Sequence, residues 1–382
     1  MRFGVIGTNF ITERFIESAS LIEDFSLNAV YSRTEDRAKE FAAKYNVTST
    51  FTNVLEMASS DEIDAVYIAS PTSLHYEQSM IFLQHGKHVM CEKPVASNAK
   101  ELERMISTAK SHNVTFMEAM RSTMTPNFLS IRDNLHKIGD VRRYVGISCQ
   151  YSSRYDAYKE GKVLNAFNPI FSNGSLMDIG TYCLYPMVVL FGIPEKIKAN
   201  GLKLGSGVDG EGSILLKYEE HEAVVMHSKI SNSYSPSEIQ GENGSILIDH
   251  IQNMTKIEIR YKDGSTEDIT QIQDKPSMYY EAKEFIELVR AGKLESEINS
   301  HQNSLRVLRI MDEARNQIGL IFPADTRSLD DVVTYTPNDR TADGLLDLIK
   351  GLSNEERWKL LDKMYNEYYN TSGIRTNGDI DY

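Results

Sequence analysis

Long apolar runs are missing from this chain of 382 residues. No stretch approaches 18 consecutive apolar residues, so no membrane-spanning helix is expected. Cysteine is scarce: Cys91, Cys149 and Cys183 are scattered and odd in number. That excludes a disulfide scaffold or a cysteine metal knot and suits a reducing compartment. Positive charge is outnumbered, with 41 Lys and Arg against 54 Asp and Glu and a net charge of -13. So acidic a surface argues against nucleic acid or an anionic membrane as the main partner, yet leaves room for an anionic cofactor in a local basic pocket. Residues 1–7 carry one Arg and no long apolar run, so no secretory leader is expected and a cytoplasmic location is. His250 and His301 have no partner at metal-ligand spacing and read as structural or solvated; no metal site is expected. The chain is 41% hydrophobic and 25% charged, a globular composition whose length suggests about two domains.

What is there begins with MRFGVIGTNFIT. Phe3 to Ile6 suits a buried strand, Gly7-Thr8-Asn9 a tight turn, and Phe10 onward a helix. A strand feeding a helix through such a turn presents backbone N–H groups to a phosphate. Gly7, Asn9 and Thr12 occupy the three glycine positions of G-x-G-x-x-G, so the match is partial. An ordinary N-terminal strand and turn is the plainer reading. Gly7, Thr8, Asn9 and Phe10 are the candidate cofactor cradle.

The alternation then continues. Strands are expected at Leu27–Tyr31, Ala65–Ala69, Lys87–Cys91 and Val114–Met117, and helices over 35–45, 52–58, 73–85 and 97–111. Short apolar strands between helices read as a parallel sheet covered on both faces, with ligands beyond the strands' C-terminal ends. Gly7, Ser32-Arg33, Ser70-Pro71, Glu92-Lys93-Pro94 and Glu118 all end strands. An acid after the second strand would accept hydrogen bonds from a ribose. Ser32 and Arg33 suit a 2′-phosphate instead, with Arg37 one helical turn beyond, so NADP is expected over NAD. The plainer alternative has Ser32 capping a helix and Arg33 solvated. Lys93 follows a buried strand and precedes Pro94. Beside a cationic nicotinamide its proton would be destabilised, fitting it for proton transfer near neutral pH. A surface Glu92-Lys93 pair is the competing reading.

After a linking helical region over 123–138 the style changes. Val141 to Tyr151 and residues 196–206, 211–219, 222–230, 236–240, 244–249 and 256–261 read as strands, many joined by Gly-containing turns. This suggests a largely antiparallel sheet with one apolar face to cover. Within the span, Leu176 to Phe191 reads as an apolar helix on which Asp178 and Tyr182 share a face. If that face meets the Lys93 loop, the three side chains would hold a carbinol; otherwise Asp178 anchors the helix and Tyr182 fills core. Two more helices are expected at Met278–Arg290 and Ser300–Ile318. In the tail, Ser353-Asn354-Glu355-Glu356 makes a capping box ahead of a stripe of Trp358, Leu361, Met364, Tyr365 and Tyr368. Residues 371–382 read as disordered.

The Gly turn, Glu92-Lys93-Pro94, the run from Gly174 to Tyr182 and the stretch from Tyr280 to Asp325 together resemble the superfamily of glucose–fructose oxidoreductase, inositol dehydrogenase and dihydrodiol dehydrogenase (Gfo/Idh/MocA type). The resemblance implies an N-terminal Rossmann dinucleotide-binding domain and a C-terminal α/β domain with a large, mostly antiparallel open sheet. The expected division is 1–120, 121–325, and a C-terminal extension over 326–382 with one amphipathic helix. The resemblance also implies a nicotinamide cofactor and hydride transfer at a carbinol carbon. Its catalytic positions fall on Lys93, Asp178 and Tyr182. Ser70, Pro71 and His75 match its cofactor-side loop, and Glu92, Lys93 and Glu118 complete the cofactor-side set. The tyrosine at 182 and Glu118-Ala119-Met120 are similar to the branch with glucose–fructose oxidoreductase and dihydrodiol dehydrogenase. Arg121 stands where that branch usually has an aromatic, which leaves room for an anionic or polyhydroxylated substrate. The sheet implies a homodimer or homotetramer.

The expected activity is therefore reversible NADP-dependent oxidation of a secondary alcohol on a sugar, polyol or small cyclic alcohol, with no metal. Tyr182 or Lys93 takes the hydroxyl proton, and Asp178 orients the substrate or tunes Tyr182. Three other readings remain: a non-redox NADP-binding regulatory protein, an enzyme that keeps its cofactor and swaps hydride between two sugars, and one that uses a transient ketone to eliminate or hydrolyse.

Overall fold

Four of the five residues of the first strand, β1 (Arg2–Ile6), are buried, as the middle of a two-faced sheet requires. The computed structural model describes residues 1–329 together with Glu356, Arg357, Lys359 and Leu360. From β1 the chain passes through α1 (Phe10–Ala19), β2 (Ser26–Tyr31), α2 (Glu35–Ala43), β3 (Ser49–Phe51), α3 (Val54–Ser59), β4 (Ala65–Ile68), α4 (Thr72–Gln84), β5 (His88–Glu92), α5 (Ala99–Ser111) and β6 (Phe116–Ala119). The strands pair in parallel in the order β3-β2-β1-β4-β5-β6. This is the expected Rossmann arrangement. The order reverses between β1 and β4, so a crevice opens beyond their C-terminal ends, where Gly7 and Ser70 lie. The edge strand β3 was not expected; its three residues are too few to show a period.

Short helical turns and α6 (Pro126–Asn134) lead into β7 (Val141–Cys149). After α7 (Tyr155–Lys159), a π-helical turn at Leu176–Gly180 runs into α8 (Thr181–Phe191). The remaining strands are β8 (Lys196–Lys203), β9 (Asp209–Lys217), β10 (Glu222–Ser228), β11 (Ser237–Gly241), β12 (Gly244–Ile248), β13 (Ile257–Tyr261) and β14 (Thr266–Asp268). They form an eight-stranded sheet ordered β14-β13-β12-β11-β7-β10-β9-β8. All of its pairs are antiparallel except β7 with β10, so the expectation of a mostly antiparallel sheet holds.

Two helices close the fold. Met278, Ala282, Phe285 and Ile286 of α9 (Ser277–Arg290) join Phe3, Phe15 and Tyr67 in the core beneath the first sheet. Phe15 and Tyr67 stack with ring centroids 3.7 Å apart. The chain thus returns from the second sheet to the first before α10 (His301–Ile318) packs against α8 and β8. Residues 1–327 make one compact unit.

The segment Pro169–Phe191 passes a length-and-composition test for a membrane span, but 72% of its most apolar stretch is buried within the protein. Its apolarity is therefore that of a core helix: α8 is buried from Thr181 to Val188. Of the tail features, only Glu356, Arg357, Lys359 and Leu360 are described, and these four are helical. The rest of the capping box, the aromatic stripe and residues 371–382 lie outside the described residues.

Candidate active site

Gly7 ends β1 with φ +100°, and a Cβ there would lie 2.7 Å from the Ala69 carbonyl oxygen. Only glycine fits this approach of two strand ends. Asn9 secures the turn from the other side. Its Oδ1 accepts from the Ile11 and Thr12 N–H groups, capping α1, and its Nδ2 donates to Ala69 O at 2.9 Å. Asn9 is thus a cap, which gives a reason for asparagine where the fingerprint has glycine. Phe10 is exposed at the mouth of the turn. Arg37 reaches back from α2 and donates to Thr8 O at 2.8 Å and to Thr8 Oγ1 at 3.1 Å. With Ser32 half-buried and Arg33 exposed after β2, a hydroxyl and two guanidiniums stand at this corner.

The next two strand ends are laced together. Ser70 Oγ donates to Gln78 Oε1, and the His75 ring lies between Ser70 O (2.7 Å) and Pro94 O (2.9 Å). Burial pushes the His75 pKa down to about 4, so the ring is neutral and donates to one of the two carbonyls. Pro71 precedes α4 and leaves the first turn of that helix beside the loop. Glu92 accepts from Tyr67 Oη at 2.5 Å and from the Lys93 N–H at 3.1 Å. Its carboxylate therefore fixes the backbone of the loop. Glu118 turns beneath the same loop and accepts from the Val95 N–H at 3.1 Å.

The first-sheet loop meets the second-sheet helix through one ammonium. Lys93 Nζ donates to Asp178 O at 2.7 Å and lies 3.2 Å from Asp178 Oδ1. It stands 4.7 Å from the centroid of the Tyr182 ring. The three sequence-predicted catalytic candidates are therefore gathered at one place. Burial works against the Lys93 charge, but Tyr182, Asp178 and Glu92 outweigh it and raise the pKa above the ordinary lysine value. Lys93 is an ammonium in this arrangement; the expectation of a readily lost proton concerned its place beside a cationic nicotinamide. Asp178 is also desolvated, yet Lys229 and Lys93 hold it well below the usual carboxylate range.

Two neighbours were not among the expected site residues. Lys229 Nζ lies 2.7 Å from Asp178 Oδ2. A signal for it exists: Ala223, Val225, His227 and Lys229 occupy alternate, buried positions along β10 and just past it, so the lysine faces inward. Arg121, noted in the sequence only as a non-aromatic residue, lies 5.4 Å from the Tyr182 ring centroid. Its Nη1 is steered by Asn253 Oδ1 and Ser277 Oγ. Behind it lies Glu281, fully buried, with neither carboxyl oxygen hydrogen-bonded among the described residues. Burial first, and then the charge of Glu92, push the Glu281 carboxyl well above the ordinary value, against the pull of Arg121. No cluster of metal-ligating side chains occurs among the described residues.

Residues 1–120 match the model of an oxidoreductase family with an NAD-binding Rossmann fold, and residues 135–247 match the GFO/IDH/MocA C-terminal domain. The chain is 59% identical over 325 residues to scyllo-inositol 2-dehydrogenase (NADP(+)) IolU of Bacillus subtilis (strain 168), covering 85% of this chain and 99% of the relative. It is 43% identical to the uncharacterized oxidoreductase YgjR of Escherichia coli (strain K12), covering 86% of this chain and all of that protein (100%). Among solved structures, an aldose-aldose oxidoreductase from Caulobacter crescentus, complexed with glycerol, superposes with a TM-score of 0.75 at 20% identity. That match covers 83% of this chain and 97% of the other, and shows the likeness of fold.

Glu118 gives this site a pH signature. Burial raises its carboxyl to about 7. Between the unfolded value and that one, folding takes up a proton, so the contribution of Glu118 to stability falls as pH rises from about 4.5 to about 7. Glu118→Gln keeps an acceptor for Val95 and removes the titration. Relative to the parent, the variant is expected to gain about 2.5 kcal/mol in unfolding free energy between about pH 5 and pH 8. Urea unfolding of both proteins across that range checks this; a constant difference would contradict it.

Proposed function

The chain belongs to the Gfo/Idh/MocA oxidoreductase family of NAD(P)-dependent enzymes acting on CH–OH groups, and from that premise we propose that it oxidises a secondary carbinol of a cyclic polyol of the inositol class, with NADP+ as the hydride acceptor. The observation that carries the reading is the convergence of Lys93, Asp178 and Tyr182 at one point between the two sheets. The 59% identity to a scyllo-inositol dehydrogenase supports the choice of a cyclic polyol.

The residues present fit a dinucleotide. Gly7 leaves a cradle that a Cβ would close against Ala69, at the N-terminus of a helix of ten residues. Ser32 and Arg33 stand where an NAD site has a carboxylate, with Arg37 beside them held on Thr8 and Glu40, and this positive corner favours a 2′-phosphate. Bound NADP+ supplies an acceptor for the hydride that leaves the carbinol carbon.

The chain's own side chains handle the oxygen. Lys93 is held as a cation by Asp178, with two of its directions fixed by Asp178 O and Oδ1. An ammonium carries three donors, so one remains for the carbinol oxygen. Tyr182 acts as the phenolate, whose oxygen takes the carbinol proton to give the neutral phenol, on a ring flanked by the Lys93 and Arg121 charges. Because its pKa is raised, Lys93 stabilises the developing alkoxide rather than removing the proton. In the reverse direction the same proton returns from Tyr182 to the nascent alkoxide.

The chemistry does not specify which epimer reacts, so the test is a panel of inositols, aldoses and acyclic polyols followed at 340 nm with NADP+ and NAD+. Cyclic polyols with NADP+ are expected to give the highest kcat/KM. Lys93→Met is expected to lose about 100-fold in kcat or more, with NADP+ affinity by fluorescence titration nearly unchanged. Better turnover with NAD+, or a fully active Lys93→Met, would contradict the assignment.

The same reading includes a homo-oligomer. The outer face of the second sheet presents Val145, Ile147, Leu215, Val224 and Met226, partly or well exposed. A contiguous apolar face of this kind is covered in a stable protein, and a second copy of the chain is the proposed cover. Light scattering after size-exclusion chromatography is expected to give a dimer or tetramer mass. Replacing Leu215 and Met226 with Glu should reduce it, and a monomeric parent would end this part of the reading.

A further inference from the structure

The carboxylate of Asp178 is shared between two lysines from different parts of the fold. Its Oδ1 lies 3.2 Å from Lys93 Nζ and its Oδ2 lies 2.7 Å from Lys229 Nζ. The two lysines are unlike in what they leave free. Lys229 is 3% exposed, and its ammonium also lies 3.2 Å from Ala166 O and 3.4 Å from Asn173 Oδ1. Three acceptors match its three donors, and the Phe167 ring covers it at 5.3 Å. Nothing of Lys229 is left for a substrate. Lys93, by contrast, spends its hydrogen bonds on Asp178 alone and faces Tyr182.

We propose that Lys229 is the positioning residue of this site: by occupying Asp178 Oδ2 it keeps the carboxylate from closing over Lys93 with both oxygens, and so leaves one Lys93 donor aimed at the carbinol. A carboxylate facing a single cation is free to turn and engage it with both oxygens. A second buried cation removes that freedom. The inference rests on the carbinol-oxidising reading above and adds a residue to it.

The fold lets this role be separated from folding itself. β10 holds the π-helical turn twice. His227, two residues before Lys229, has Nδ1 at 2.7 Å from Ser175 Oγ, and Asp209 Oδ2 accepts from Ser175 Oγ at 2.6 Å and from the Leu176 N–H at 2.7 Å. This clamp fixes the backbone where the turn begins. Lys229 fixes the Asp178 side chain within it. The charged groups facing Asp178 are thus Lys93, from the loop after β5, and Lys229, from the end of β10; Tyr182 and Glu92 act on it through Lys93.

The experiment compares Lys229→Met and Lys229→Arg with the parent. For Lys229→Met, kcat is expected to fall about 100-fold, the scale of a misplaced catalytic group. NADP+ affinity should stay within about threefold, because nothing moves in the cradle at Gly7. The acid limb of the kcat profile should move to higher pH, since Asp178 keeps one cation in place of two. Lys229→Arg, which restores a cation, should recover at least about tenfold of the lost kcat. A crystal structure of Lys229→Met is expected to show both Asp178 oxygens turned onto Lys93. That readout needs no substrate, so it tests the positioning role even if cyclic polyols prove not to be turned over. The proposal is overturned if Lys229→Met keeps kcat within about threefold with an unmoved pH profile, or if its Asp178 stays as in the parent. A loss of kcat accompanied by an equal loss of NADP+ affinity, without recovery in Lys229→Arg, also overturns it. Should Lys229→Met fail to fold, Lys229→Gln takes its place in every comparison, with the same outcomes for and against.

Discussion

One ammonium joins the two halves of this molecule at the proposed active site. Lys93 leaves the first sheet at the end of β5 and meets Asp178, 85 residues later, in the turn that begins α8. Neither charge holds in its surroundings without partners. A lysine taken out of water loses its proton unless an anion stands beside it, and a desolvated carboxylate takes one up unless a cation does. Asp178 joins Tyr182 and Glu92 in holding the Lys93 charge, Lys229 and Lys93 together hold that of Asp178, and the contact sets where the first sheet's loop stands against the second sheet's helix. Removing Asp178 takes away both hydrogen-bond acceptors of Lys93, whereas removing Lys93 leaves Asp178 on Lys229.

The second sheet is best understood as the frame for that pairing. Its strand β10 delivers His227 and Lys229 on one face, and β9 delivers Asp209 beside them. Gly174 and Gly212 let these side chains in: a Cβ at Gly174 would fall on the Asp209 carboxylate, and one at Gly212 would lie 2.7 Å from the His227 ring. Below the first sheet, α9 returns to fill the core and carries Glu281 into the neighbourhood of Glu92 and Arg121. Around the site, Lys93 and Asp178 keep their charges through their neighbours, whereas burial dominates at Glu281.

The residues whose meaning is local were legible in the sequence. Gly7 is marked by the strand and helix on either side of it, and Lys93 by a buried strand before it and a proline after it. Asp178 and Tyr182 are marked by helical spacing, although the turn between them is π-helical rather than regular. The parallel and antiparallel halves could also be told apart, because one alternates strands with helices and the other joins strands by glycine turns. What was not legible depends on which distant segments meet. Strands β3 and β14 are three residues each, too short to carry a period. The apolar stripe of α9 says that it is buried, but not that it is buried under the first sheet. Lys229 is visible as an inward-facing lysine only once β10 has a register, and its partner only once that strand lies beneath α8. The charge on Lys93 was not legible for the same reason: besides its neighbour Glu92, the groups that hold its proton, Asp178 and Tyr182, come from another part of the chain.

The central claim is that the carbinol oxygen binds between the Lys93 ammonium and the Tyr182 hydroxyl, with Asp178 holding the first. The most direct measurement is a crystal structure of the enzyme with NADP+ and a slowly turned-over cyclic polyol. The account predicts one hydroxyl oxygen of the ring within about 2.6–3.2 Å of both Lys93 Nζ and Tyr182 Oη, with Asp178 still on Lys93. A ring whose oxygens contact neither atom, or one held by Asp178 with Lys93 turned away, would contradict it.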